Sequence, residues 1–157
     1  MLLTKINLWI IIFFMLFHQI IFAQSINISY PVEGNKVVQF PETIKFQSNV
    51  SINKNSIPVV FIQDPLQQWW PYLGAQSINE TRISWILRSV QFGIGNNISQ
   101  RFKIQIIVVS QNQIDNGIQI ENQTLYIEQN SPVTNRQIRF LLRQKYIRSN
   151  VVSVVRE

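Results

Sequence analysis

The stretch "IPVVFIQDPLQQWWPYLG", Ile57–Gly74, decides how the chain is read. Its first part, "IPVVFIQ", is apolar and β-branched without alternation, which fits a short strand buried on both faces. Asp64-Pro65 then breaks the run. Trp69, Trp70 and Tyr72 follow around Pro71. Adjacent strand residues point to opposite faces, so a strand here sends one indole inward and the other outward. Pro71 has no N–H and is expected to end the ladder. Trp70, just before it, is expected to be extended at the rim. Two readings stand open. Trp69, Trp70 and Tyr72 are a ligand platform for sugar rings or a partner protein, or they plug the end of an ordinary core.

Outward from this stretch, alternation recurs at short spacing. Ile26, Ile28 and Tyr30 alternate before a break at Pro31 and Gly34. Ile44, Phe46, Ser48 and Val50 form a second run, and Ile83, Trp85 and Leu87 a third. The parity then shifts to Val90 and Phe92, which predicts a bulge near Arg88-Ser89. Phe102, Ile104, Ile106 and Val108 make another run, and "NVVSVVR" closes the chain. Period-2 runs separated by turn residues describe an antiparallel sandwich or barrel.

One segment changes period. In "TNRQIRFLLRQKY", Ile138, Leu141, Leu142 and Tyr146 recur at helical spacing, with Thr134 or Asn135 placed to cap the start, and a strand with Ile138, Phe140 and Leu142 inward is the alternative. The same helix sets Arg136, Arg139 and Arg143 on the opposite flank. That basic face is a candidate polyanion-binding surface, or simply a solvated one.

The first residues, "MLLTKINLWIIIFFMLFHQIIFA", carry Lys5, an apolar run and a small residue at Ala23. They read as a signal peptide over residues 1–23, with an uncleaved membrane anchor as the alternative. Residues 24–157 then read as one domain, long enough to bury a core. The whole chain has 14 Lys and Arg against 8 Asp and Glu, a net charge of +6. Such an excess suits a polyanion or an anionic surface, and export argues against nucleic acid. A membrane enters only through the N-terminal segment, where that is retained. With no cysteine, thiol chemistry and metal–thiolate sites are excluded, and a bacterial envelope is favoured over disulfide-rich secretion. Asn-x-Ser/Thr sequons stand at Asn27, Asn49, Asn79, Asn97 and Asn122 and matter only where the host glycosylates.

Catalysis is poorly supplied. The single histidine, His18, falls in the leader, so the rest of the chain lacks both the common general base and a thiol nucleophile. A hydrolase would have to use two of Glu33, Glu42, Asp64, Glu80, Asp115, Glu121, Glu128 and Glu157, and no pair of these forms a recognisable constellation. Asp115-Asn116-Gly117 resembles a calcium-loop fragment but lacks the repeated acids of one, and it reads better as a hairpin turn. No metal or cofactor is implied.

"ISYPVEGNKV" resembles the first strand and turn of exported bacterial immunoglobulin-like domains, also called fibronectin-III-like. The order "VVFIQDPLQQWWPYLGAQ", "RISWILRSVQFG", "RFKIQIIVV" resembles a subgroup of them with a Trp-rich turn, a Trp-bearing strand ending at glycine and a Phe-x-Ile strand. Trp69, Trp70, Trp85, Gly93 and Phe102 would fill those roles. The resemblance implies a mostly β, antiparallel sandwich; the short amphipathic helix before the last strand, read from its spacing, departs from a plain seven-strand domain of that kind. It also implies a non-catalytic envelope or surface module, either a structural spacer or a recognition domain for glycan or an envelope protein. The expected location is secreted, periplasmic or on the cell surface.

Overall fold

A computed structural model describes residues 24–38, 41–93 and 99–157; the expected leader and the Asn97 sequon lie outside the described residues. In chain order the strands are β1 (Ser25–Tyr30), β2 (Lys36–Val37), β3 (Glu42–Ser48), β4 (Ser56–Gln63), β5 (Trp69–Tyr72), β6 (Gln76–Ser77), β7 (Ser84–Val90) and β8 (Arg101–Ser110). Helix α1 (Gln111–Asn116) follows, then β9 (Ile118–Ile120), β10 (Gln123–Leu125), helix α2 (Asn135–Arg143), β11 (Arg148–Ser149) and β12 (Val152–Arg156).

The chain is mostly β, and β8 is its spine. Along one side β8 pairs with β4, from Ser56 opposite Ser110 to Gln63 opposite Lys103, and β5 extends the sheet beyond β4. Along its other side β8 pairs first with β12 and then with β11. From β11 the sheet runs on through β1, β3, β7 and β6. The pairing is not wholly antiparallel, as expected from the sequence: β1–β11 and β12–β2 are parallel. Both join segments far apart in the chain, and only such long connections let two strands run in the same direction.

Strand β4 explains its own sequence. Val60 and Ile62 enter one apolar cluster with Ile44, Phe46, Trp85, Phe102 and Ile104. Val59 and Phe61 enter a second cluster with Trp69, Ile107, Val109, Ile118, Ile138 and Leu141. A strand covered on both faces needs no polar alternation. The β9–β10 hairpin and α2 supply the second cover, and this is why Ile107 and Val109 of β8 are buried as well as Ile106 and Val108. The bulge is present where expected: Glu42 faces Val90 while Ile44 faces Leu87, and Ser89 takes φ +58°.

Pro71 does not end the ladder. It lies inside β5, opposite Phe61. Trp69 turns its N–H outward to the Val133 carbonyl at 3.1 Å, and the Val133 N–H returns to the Trp69 carbonyl at 2.8 Å. Pro71, two residues on, has the same orientation, so its missing N–H falls on the outer edge where β4 requires no donor.

The described residues hold two helices, where the sequence predicted one. Ser110 caps α1, and Gln113 completes a capping box with it. Asp115-Asn116-Gly117 is therefore the end of a helix and not a hairpin turn. Gly117 closes it at φ +77°, ψ +166°, a backbone region that is essentially glycine-only. A Cβ there would overlap the Thr124 methyl and stand 3.1 Å from the Leu125 carbonyl oxygen. Gly117→Ala should cost about 1–3 kcal/mol in a urea melt. Gly34→Ala should cost less, since Gly34 shares the positive φ but has nothing within 4 Å of the added carbon. Equal losses at the two sites would show that the Thr124 contact is relieved at no cost.

Helix α2 starts on its Thr134 cap, with Gln137 reciprocating, and buries Ile138 and Leu141. It ends at Arg143, so Tyr146, expected on its apolar stripe, lies past the helix. There its hydroxyl accepts from Gln113 Nε2 at 2.7 Å and ties the segment to α1. Asn135 faces the sheet: its Oδ1 accepts from Trp69 Nε1 at 2.8 Å and from the buried Gln63 Nε2 at 3.0 Å.

Candidate functional site

The β4–β5 hairpin builds one wall of an open concavity. Two-residue periodicity puts Trp70 and Tyr72 on one face of β5, the face opposite Trp69. That face lines a groove of about 460 Å³, together with Asp64, Leu66, Gln91, Gln100 and Phe102 among others. The turn after β4 sets one wall. Asp64 Oδ1 accepts from the Gln68 N–H at 2.9 Å, which folds the turn back. Asp64 Oδ2 accepts from Trp70 Nε1 at 2.9 Å, which fixes the indole. Leu66, 80% exposed, stands at the rim. On the far side the Tyr72 hydroxyl donates to the Gln91 carbonyl at 2.8 Å. Burial pushes the Tyr72 phenol above its ordinary value, so at neutral pH it stays a protonated donor.

The three aromatic candidates are thus divided. Trp70 and Tyr72 line the groove, whereas Trp69 is 6% exposed and packs in the second apolar cluster. The plug reading describes Trp69; Trp70 and Tyr72 are the rings left for a platform. Trp85 is buried as a core ring.

Arg136, Arg139 and Arg143 lie elsewhere, all exposed on α2. Arg136 pairs with Glu121 at 2.5 Å. They line a separate cleft with Ile120, Glu121 and Phe140. Among the described residues no group of three or more His, Cys, Asp or Glu side chains gathers to hold a metal ion.

Several groove residues were not singled out from the sequence. Gln91 and Gln100 arrive from the ends of β7 and β8, which no local pattern brings together. Phe102 was visible as a core alternation, but not as a groove floor. Asp64 carried the one readable signal: an Asp before Pro in a turn readily accepts from backbone N–H groups just downstream. No known protein-family model matches the chain, and no curated protein matches it.

Proposed function

We propose that the chain is an exported recognition module of the immunoglobulin-like sandwich type, whose β4–β5 groove takes a neutral, hydroxyl-rich sugar chain. One observation carries the reading: Trp70 and Tyr72 line the same open groove, with the Trp70 indole held by Asp64. Sugars stack their apolar faces on such rings, and their hydroxyls need both donors and acceptors around them. Gln68, Gln91, Gln100 and Asn130 bring amide donors and acceptors to the groove, and among the described residues no Lys or Arg lines it. A ligand without charge suits that lining best. The same lining supports binding over hydrolysis. Asp64 is its one carboxylate, and it is engaged by the Gln68 N–H and Trp70 Nε1, whereas a glycosidase sets two carboxyl groups across the bond.

The test is a glycan array of neutral glucans, mannans and N-acetylglucosamine oligomers probed with the full chain, followed by titration of the best binder. Trp70→Ala should weaken that binder about thirtyfold, as loss of a central aromatic anchor does, while leaving a cooperative melt. Undiminished affinity in the variant, or an array that shows no binder among these neutral glycans, would remove this reading.

A further inference from the structure

We propose a second, independent binding site: the cleft between the β9–β10 hairpin and α2 holds an acidic polysaccharide, laid along the helix. The cleft, of about 350 Å³, is lined by Ile120, Glu121, Arg136, Arg139, Phe140 and Arg143. Three guanidinium groups therefore border one concave surface whose floor is partly apolar. Helical rise spaces the three residues over about 10 Å, so a linear polyanion running parallel to α2 meets them in succession.

The charge inside the cleft is graded. Glu121 is its one acid, and it is occupied by Arg136 at 2.5 Å. The only other ion pair among the described residues is Lys36–Glu157, so Arg139 and Arg143 have no carboxylate partner there. Lys145 and Arg148 continue the basic run, and no acid interrupts the sequence between Glu128 and Glu157. Guanidinium groups pair bidentately with carboxylate, sulfate and phosphate oxygens, which a flexible ammonium does less well.

The apolar face of α2 decides between a polymer and a lipid surface. An interfacial helix sinks its apolar side into the bilayer. Here Ile138 and Leu141 are instead buried in the protein, and none of the large exposed apolar side chains belongs to α2. What α2 offers outward is charge in a cleft, which fits a thread better than a plane.

The experiment titrates the full chain with dextran sulfate, with a polyuronate and with anionic lipid vesicles over a salt series, and runs uncharged dextran alongside to measure the salt-insensitive share that the first groove takes. Affinity for both acidic polymers should fall steeply as salt rises, because exposed charges are screened beyond about 8 Å at physiological ionic strength. The double variant Arg139→Ala, Arg143→Ala should bind both roughly thirtyfold more weakly at low salt. Glu121→Gln should move the other way and bind more tightly, since it removes the one anion in the cleft and releases Arg136. Glu121 is exposed, with 62% of its side chain in solvent, so that change leaves the fold intact. Polymer binding unchanged in the double variant, no tightening in Glu121→Gln, or a loss confined to anionic lipid vesicles would each overturn the proposal. Trp70→Ala, which removes a wall of the first groove, should leave the salt-sensitive part of the binding to the two acidic polymers as it was.

Discussion

Replacing Trp85 by alanine should lower the free energy of unfolding by about 3–5 kcal/mol, the cost of deleting a buried aromatic ring. The ring is 2% exposed in the first apolar cluster, stacked on Phe46 with centroids 6.2 Å apart and planes within 3°. Its other contacts are with Arg82, three residues earlier. The indole N–H donates to the Arg82 carbonyl at 3.0 Å, and the Arg82 guanidinium sits 4.8 Å from the ring centroid. From there Arg82 donates to the carbonyls of Ile52, Asn53 and Ser56. Truncation therefore opens a cavity between β3 and β7 and loosens the clamp on the loop before β4. Denaturant melts of the two proteins measure the difference. A loss under about 1 kcal/mol, the range of surface substitutions, would show that this face is not core.

Trp69→Ala should cost a similar amount, about 3–5 kcal/mol, through the other cluster. Here a conservative variant separates packing from hydrogen bonding. Trp69→Phe keeps much of the buried area but removes the N–H that reaches Asn135, and it should cost about 1–3 kcal/mol, set by leaving a half-buried acceptor with fewer donors. Asn135 opens α2, so the same change should loosen that helix first, visible as faster amide exchange at Ile138 and Leu141. The comparison with Trp70 is the sharper check. Two adjacent indoles with opposite fates require Trp69→Ala to destabilise far more than Trp70→Ala. Equal losses at the two positions would mean that β5 is not pleated as described.

Most of the strands were legible because they sit at a boundary. Ile44, Phe46 and Ser48, or Ile83, Trp85 and Leu87, alternate since one face meets the core and the other meets water or a thin cover. The doubly buried β4 could be read from the lack of alternation in "VVFI", and the bulge at Ser89 from a slip in parity. Helix α2 announced itself by spacing and by its Thr134 cap. What stayed hidden is what local pattern does not encode. Helix α1 is too short for a periodic stripe, and only Ser110 and Gln113, at capping-box spacing, hinted at it. The parallel partners of β1 and β12 follow from long-range closure of the sheet. Arg156 would be placed in solvent by its type, yet it is 2% exposed and donates to the Phe92 carbonyl at 3.0 Å. The groove was half legible: Trp70 and Tyr72 came from the pleat, but Gln91 and Gln100 reach it only because the sheet brings the ends of β7 and β8 beside the hairpin.

The orientation of Pro71 reaches beyond the single chain. A sheet margin with a free row of donors is a template for a neighbouring molecule, and such margins start aggregates. Along the outer side of β5 the successive donors are all spent or missing. The Trp69 N–H is taken by Val133, Pro71 has none, and the Leu73 N–H is taken by the Gln129 side chain at 3.0 Å. A strand from a second copy finds no ladder to continue there. The margin that carries two large rings into solvent-facing territory is thus poorly able to recruit its own kind, and those rings stay available at high local concentration, where stickier edges would zip shut.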